Sequence, residues 1–352
     1  MNTEPTPPTL LPPPPPPVSH KSANVLTIRS FVKGAYDIQK LRISTGNRIA
    51  MQFKTKLGIK PGEKEPVLGE LDPAGESGLE PEPEPLVVEE TVDQKAAARK
   101  KKEAAKILNI LRKNFRKLMD GIKKELPSKE KFTGNEIISE YSELCLLALY
   151  IDMERREDSH FRRLEGLLND VPIWTEYLKG LHGCGPAMAG VIISEFDPHL
   201  ARHISSFWKY AGLDVVINTE SGEGSGRSRR EEHLVKRTYI TKKKEIKERN
   251  SITFNPWLKT KLYVLGGCLI KAGGKYKETY DGYKFRLQNT PKWQDKTDGH
   301  RHNAAVRYML KMFLSDLWMK WRTLEGLEVS EPYSVAKLGM NPHGSDPSRP
   351  QP

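Results

Sequence analysis

The sequence predicts a mainly α-helical protein: a helix-hairpin-helix domain preceded by a long, coiled-coil-like helical arm and by disordered N-terminal spacers. Three observations predict this fold class. Apolar residues recur at helical spacing over long stretches, a Gly-x-Gly turn joins two short apolar segments, and two segments are dominated by proline and charge. We therefore expect a Pro-rich arm over 1–24, a basic segment over 25–60, an acidic linker over 61–92, a helical arm over 93–170, the domain itself over 171–332 and a flexible tail over 333–352.

The two spacers are recognised by their composition. Nine of the 26 prolines fall within the first 17 residues, which indicates a polyproline II arm without a core. Between residues 61 and 90, ten acidic residues stand against one lysine, a net charge of −9, and such a segment buries too little apolar surface to fold. The whole chain carries +12, so the remainder carries +21, which favours an acidic partner.

Three helical segments are expected before the domain. The basic segment over 25–60 reads as one or two amphipathic helices, either a hairpin packed on the main body or a nucleic-acid-binding arm. Two long helices are predicted over 93–126, where Pro127 ends the first, and over 135–168. The first of them has a polar face of one sign, which a polyanion would stabilise, although a solvated helix face explains it equally well.

Several classes of protein are excluded by simple counts. The chain has no run of about 18 apolar residues, which a membrane-spanning helix needs. The N-terminal stretch has no basic and apolar regions of a secretory signal. Three scattered cysteines argue against a disulfide framework and a structural zinc site and favour a reducing, cytoplasmic setting. His300 and His302 have no carboxylate or cysteine at ligand spacing, so no metal site is predicted.

The Gly-x-Gly turn is the most informative motif. Pro172 and Pro186 suit the first turns of two short helices, and Gly183-Cys184-Gly185 lies between them. In a helix-hairpin-helix the glycines adopt backbone angles that a Cβ would hinder and let main-chain N–H groups approach a phosphate. Lys179 would add a charge nearby. The alternative is a tight turn between two helices that binds no ligand.

A basic stretch follows a Ser-Gly loop. Residues 227–249 hold ten basic residues against four acidic ones, which is typical of a surface that binds a phosphate backbone. Tyr239 interleaves with these charges and could stack on a base. The loop before it lacks the Gly-Lys-Ser/Thr ending of a P-loop. The expected nucleic-acid-binding side chains are those of Arg227, Arg229, Arg230, Lys236, Arg237, Lys242, Lys243 and Lys244, together with Lys179 and the turn glycines.

Residues 178–272 resemble the C-terminal domain of the DEDD-type insertion-sequence transposases of the 110/116 family, which a bridge RNA guides. The shared features are the hairpin, an aromatic helix that ends in an Ala-Gly-Leu turn, a Ser-Gly pair, a basic stretch and a following helix. They fall here at Gly183-Cys184-Gly185, at 207–213, at Ser221-Gly222, at 227–249 and at 257–269. The resemblance implies that Ser221 is a nucleophile. The family's N-terminal RuvC-like domain with its acidic metal site is not recognisable here.

The resemblance and the charge lead to one expected function and two alternatives. We expect a DNA-binding protein of a mobile genetic element that acts in transposition or recombination. The alternatives are an active transposase with Ser221 as nucleophile and a non-catalytic helical scaffold that binds RNA or protein. No cofactor is identified, and Mg²⁺ would enter only with an acidic site supplied elsewhere. DNA is the expected partner, a structured RNA and self-association through the helical arm stay open, and no membrane partner is expected. The expected location is the bacterial cytoplasm, at the nucleoid when bound to DNA.

Overall fold

A computed structural model of the chain describes residues 23–58, 92–119, 126–217, 224–241 and 245–330. The Pro-rich arm over 1–22, most of the acidic linker and the tail after residue 330 lie outside the described residues. The described part is mainly helical, which confirms the predicted fold class. None of its helices is long and apolar enough to cross a membrane.

Ten helices and two small antiparallel sheets make up the described fold. The helices are α1 (Ala23–Lys56), α2 (Val92–Leu118), α3 (Tyr141–Leu168), α4 (Pro172–Glu176), α5 (Pro186–Glu195), α6 (Ile204–Tyr210), α7 (Pro256–Ala272), α8 (Lys275–Gln288), α9 (Pro291–Gln294) and α10 (Asp298–Leu324). The strands are β1 (Val215–Ile217), β2 (Gly224–Gly226), β3 (Val235–Ile240) and β4 (Ile246–Ser251), paired as β1–β2 and β3–β4.

Helix α1 is one continuous helix that packs on the body of the protein and takes part in two hydrophobic cores. Its first half places Ile28 and Val32 in the main core, which also contains α5, α7 and α10. Its second half places Ile49 and Phe53 in a second core with α2 and the first half of α3. The basic charges of the segment therefore lie on a helix whose other side is fully occupied by packing.

The two long helices of the arm are shorter than the sequence predicted. Helix α3 begins at Tyr141 rather than Asn135, because the Asn135 side chain accepts hydrogen bonds from the N–H groups of Ile137 and Ile138 and forms a local turn. The Glu143 carboxylate then accepts the N–H of Glu140 and closes the first turn of the helix. Helix α2 ends at Leu118, before the predicted stop at Pro127.

A buried ion pair links helix α1 to helix α3. Glu157 is 2% exposed, and its carboxylate accepts hydrogen bonds from Gln39 at 2.8 Å and from Arg42 at 2.5 Å. Burial acts to lower the pKa of Arg42, but the hydrogen bond and charge of Glu157 outweigh it and raise that pKa. The Arg42 guanidinium and the Glu157 carboxylate are therefore paired inside the helical bundle.

The main core around α7 and α10 supports the small sheets. An ideal Cβ on Gly266 of α7 would stand 3.0 Å from Val306 of α10, so this glycine allows the two helices to pack closely. Residues 215–217 form strand β1, and helix α6 ends at Tyr210, two residues before Gly212, whose φ is +66°. The basic stretch, for which no element was predicted, forms the ribbon β3–β4.

Candidate nucleic-acid interface

The hairpin turn is present, but only Gly183 adopts a backbone angle that a Cβ would hinder, and the prediction was wrong for Gly185, whose φ is −76°. Gly183 has φ +91°, and an ideal Cβ there would stand 2.9 Å from the carbonyl oxygen of Cys268 in α7. This glycine is therefore required for the turn to pack on α7. Gly185 precedes α5, is exposed and has no atom within 4 Å of an ideal Cβ, so its backbone is open to a ligand. Lys179, in the preceding turn, is exposed as well.

Arg227 fixes the base of the β1–β2 hairpin. Its Nε donates to both carboxylate oxygens of Asp214 at 2.8 and 2.9 Å, and its Nη1 donates to Thr253 Oγ1 at 2.7 Å. A guanidinium held in this way is a positioning group rather than a free phosphate ligand. The role predicted for Arg227 therefore shifts from direct contact to support of the hairpin.

Three further cations gather around this hairpin from two helices. Lys259 of α7 donates its Nζ to the carbonyl oxygen of Arg227 at 2.6 Å. Arg307 of α10 lies against Gly226 of β2. Lys311, one turn further along α10, holds its Nζ 4.2 Å from the centre of the Trp208 ring. We call Arg227, Lys259, Arg307 and Lys311 the cationic cluster.

The cationic cluster carries more positive charge than its surroundings balance. Burial, and then the charge of Arg307, lower the pKa of Lys259 to about 8. Burial and Arg307 also lower the pKa of Lys311, while Asp214 acts in the opposite direction. Among the described residues no carboxylate pairs with Lys259, Arg307 or Lys311, since Asp214 is engaged by Arg227. Four cations with one acid leave an excess of three charges, which a bound anion would stabilise.

Gly226 is where the backbone and the cluster meet most closely. An ideal Cβ on Gly226 would stand 1.9 Å from Arg307 Nη1 and 3.1 Å from its Cζ. Any side chain here would displace the guanidinium. This glycine therefore sets the position of Arg307, although no motif in the sequence marks it.

Ser225 and His233 form a hydrogen-bonded pair that resembles a catalytic dyad. The distance from Ser225 Oγ to His233 Nε2 is 3.0 Å, and His233 is 5% exposed. The backbone N–H of Ser228 donates to His233 Nδ1 at 2.9 Å, so that nitrogen is an acceptor. In the neutral ring the proton is therefore on Nε2 and is donated to Ser225. His233 thus cannot take a proton from Ser225, whose own O–H is free to donate to a ligand.

The start of α10 carries His300 and His302, and His300 lies close to several cations. Burial and the charges of Lys296, Arg307 and Arg230 lower the pKa of His300, in that order. His302 Nδ1 lies 2.7 Å from the hydroxyl oxygen of Tyr280, and the centre of the His300 ring lies 5.5 Å from that of Trp293, so both histidine rings contact an aromatic neighbour. In the part of the chain that the structure describes, no group of three or more His, Cys, Asp or Glu side chains could hold a metal ion.

The remaining predicted residues are divided among the ribbon, its flank and the undescribed segments. Lys236 and Arg237 are exposed on β3, and Arg229 and Arg230 are exposed just before it. Ser221, in the segment that joins β1 to β2, lies outside the described residues. So do Lys242, Lys243 and Lys244, in the connection between β3 and β4.

The hairpin turn and the cationic cluster lie toward opposite ends of α7. Gly183 packs on Cys268, whereas the cluster includes Lys259, nine residues earlier on the same helix. Nine residues of α-helix span about 13 Å. The hairpin turn, which was predicted to bind phosphate together with the basic stretch, is therefore distinct from the cationic cluster, of which only Arg227 was predicted.

Sequence reasoning missed Lys259, Arg307 and Lys311. The one signal available was the spacing of Arg307 and Lys311, since residues four apart on a helix share a face. The proximity of Lys259 to them depends on how α7 packs against α10.

Comparisons with protein-family models, with curated proteins and with solved structures find no match to this chain.

Proposed function

We propose that this chain binds DNA and acts in transposition or recombination, with the cationic cluster as the main contact to the phosphate backbone. The role in transposition rests on the resemblance of residues 178–272 to the transposase domain. The DNA contact is supported by the excess charge of the cluster, which is the observation that carries the proposal.

A phosphodiester is the anion that this chemistry favours. Lys259 and Lys311 are half-buried and have lost part of their hydration, which lowers their pKa values. A bound anion would therefore stabilise their charged forms. Ser225 adds an O–H that is free to donate, because its oxygen accepts the proton of His233. Contacts of this kind reach the backbone and not the base edges, so this part of the binding is independent of sequence.

The hairpin turn supplies a second, weaker contact in this proposal. Gly185 leaves the backbone at the N-terminus of α5 exposed, and Lys179 is exposed beside it. Helix N-termini favour anions through their unpaired N–H groups. The two contacts would lie toward opposite ends of α7.

The test is duplex binding by variants of α10. Arg307→Ala removes a cluster cation, and Lys320→Ala removes an exposed cation farther along the same helix as the matched control. We expect Arg307→Ala to weaken binding of a labelled 30-base-pair duplex about tenfold and to lower the salt slope by about 0.9. Lys320→Ala should change the affinity less than twofold. Equal effects of the two variants, or an affinity independent of salt, would contradict the proposal.

A second candidate function is strand transfer with Ser221 as the nucleophile. The segment that contains Ser221 is joined at both ends to β1–β2, where Ile217 pairs with Gly224, two residues from the Gly226 that contacts Arg307. In this step Ser221 Oγ would bond to a DNA phosphorus while the bond from that phosphorus to one deoxyribose oxygen breaks, and the serine proton would pass to the departing oxygen. The cluster would stabilise the charge of the transition state. A covalent protein–DNA adduct, present in the wild type and absent in Ser221→Ala, would support this chemistry. Persistence of the adduct in Ser221→Ala and its loss in Ser225→Ala would move the nucleophile to Ser225.

A further inference from the structure

The ribbon β3–β4 projects from the body with both faces in solvent. Every residue of β3 is exposed, and so is β4 up to Asn250. The strands pair with each other from Val235↔Ser251 to Ile240↔Ile246. A hairpin of two strands is only marginally stable by itself, and it gains stability when another surface covers one of its faces.

The register gives the two faces different charges. Opposite residues of an antiparallel pair lie on one face, so Arg237 and Arg249 share a face with Tyr239 and Lys247. The strand residues of that face carry three cations, and Glu245, just before β4, pairs with one of them, Lys247. The other face carries Lys236 and Glu248, which cancel, and an apolar tip where Ile240 and Ile246 are 73% and 74% exposed.

The face that carries Arg237 and Arg249 is destabilised by repulsion between like charges, which a bound polyanion would reduce. Arg237 and Arg249 are directly opposite each other, and like charges in that position destabilise a sheet. Arg249 lies over the Tyr239 ring at 5.4 Å, which holds its guanidinium on this face. Lys247 is paired with Glu245 at 3.4 Å, but among the described residues neither arginine is paired with a carboxylate.

The dimensions of the ribbon fit the major groove of duplex DNA and not that of duplex RNA. A two-stranded ribbon enters the major groove of B-form DNA, which is about 12 Å wide. Six residues of strand span about 20 Å, or roughly six base pairs at 3.4 Å each. The major groove of an RNA duplex is too deep and narrow for this entry.

We propose that the ribbon β3–β4 inserts its Arg237–Arg249 face into the major groove of duplex DNA. This inference rests on the proposed function for the identity of the partner, and it adds a groove contact to the backbone contact of the cationic cluster. The guanidinium groups reach base edges or the flanking phosphates, and Tyr239 orients one of them.

The decisive comparison is between neighbouring residues of one strand. Arg237→Ala and Lys236→Ala each remove one exposed cation from β3, but from opposite faces. We expect Arg237→Ala and Arg249→Ala each to weaken duplex binding about five- to tenfold, with a salt slope lower by about one. Lys236→Ala should change it less than twofold. Equal losses in Arg237→Ala and Lys236→Ala would overturn the proposal, because a diffuse positive field does not distinguish the faces.

Groove contact is tested by methylation of guanine N7, which lies in the major groove. We expect the wild-type protein to protect N7 over about six base pairs and Arg237→Ala to lose that protection. An RNA duplex of the same sequence and a poly-glutamate peptide should compete poorly with DNA. Strong competition by the peptide would overturn the proposal in favour of an acidic protein partner.

The outcomes separate this inference from the proposed function. If Arg307→Ala weakens binding and Arg237→Ala does not, the ribbon proposal fails and the backbone contact stands. If the wild-type chain does not bind duplex DNA, both fail. Circular dichroism of Arg237→Ala should match the wild type, and its thermal stability should be equal or slightly higher, because the exposed side chain supports no packing and its removal relieves the repulsion with Arg249.

Discussion

Two glycines of this protein differ in what their missing side chains allow. Gly183 lies in the recognisable hairpin turn, and it permits close packing on the Cys268 carbonyl of α7. Gly226 lies in strand β2 and in no recognised motif, and it makes room for the guanidinium of Arg307. A glycine of a motif can thus serve packing, while a glycine outside any motif can set the geometry of charges. Four changes test this difference, and they follow in order of decreasing expected effect.

Gly183→Ala should have the largest effect, and the effect should be on stability. An alanine there would adopt a positive φ and approach a backbone carbonyl that cannot easily move. We expect the free energy of unfolding to fall by about 2 to 4 kcal/mol in urea denaturation. DNA affinity of the folded fraction should change little. A stable Gly183→Ala protein with weakened DNA binding would instead assign this glycine to the ligand.

Raising the pH should weaken DNA binding through Lys259. Its pKa of about 8 in the folded protein means that the charged fraction falls from about nine tenths at pH 7 to about one tenth at pH 9. We expect the affinity to fall about tenfold over this range, as measured by fluorescence anisotropy at constant ionic strength. Lys259→Met should flatten the profile. A profile that is the same in both proteins would remove Lys259 from the interface.

The lowered pKa of Lys259 has the opposite consequence for the stability of the free protein, which should rise with pH. The ordinary pKa of 10.5 applies to the unfolded chain and a pKa of about 8 to the folded one. Below pH 8 both states are protonated and the cost of burying the charge is fully present. Between pH 8 and 10.5 the folded state releases its proton first, so this group raises the free energy of unfolding.

Gly226→Ala should act on binding more than on stability. The new Cβ displaces the flexible end of Arg307 and not a backbone atom, so the fold can adjust. We expect about a fivefold loss of DNA affinity, somewhat less than in Arg307→Ala, with a change in unfolding free energy below about 1 kcal/mol. In a double variant that combines Gly226→Ala with Arg307→Ala, the two losses of DNA affinity should not add, because both substitutions remove the same contact. Additive losses would show that Gly226 acts by another route.

Gly185→Ala should have the smallest effect. The position has φ −76° and no atom within 4 Å of an ideal Cβ, so stability should stay within about 0.5 kcal/mol of the wild type. If the open backbone approaches a phosphate, the added methyl group should weaken DNA binding about two- to threefold. An unchanged affinity would leave the cationic cluster as the DNA contact and remove the hairpin turn from the interface.

The boundaries of the helices show what the sequence patterns predict correctly and what they miss. Pro172 and Pro186 begin the two helices on either side of the turn, as predicted, because proline suits the first helical turn. The start of α3 was predicted wrongly, since the Asn135 side chain competes with the helix for two backbone N–H groups. That local hydrogen bonding is invisible to a count of apolar spacing.

The ribbon and the cluster could not be predicted for two different reasons. The strands β3 and β4 lack the alternation of apolar and polar residues, because neither face of the ribbon is buried. The cluster unites residues that lie up to 84 positions apart in the chain, from Arg227 to Lys311, and local patterns cannot connect them.

By itself, the sequence determined the mainly helical class, the places where helices begin at prolines, and the contrast between an acidic linker and a basic remainder. The tertiary structure decided which of the many cations are paired, which are buried without a carboxylate and which face solvent. The physical reason is that residue type fixes the nominal charge of a side chain, whereas its hydration and its neighbours depend on the packing of distant elements. Lys259 differs from an exposed lysine because α7, α10 and the β1–β2 hairpin meet around it.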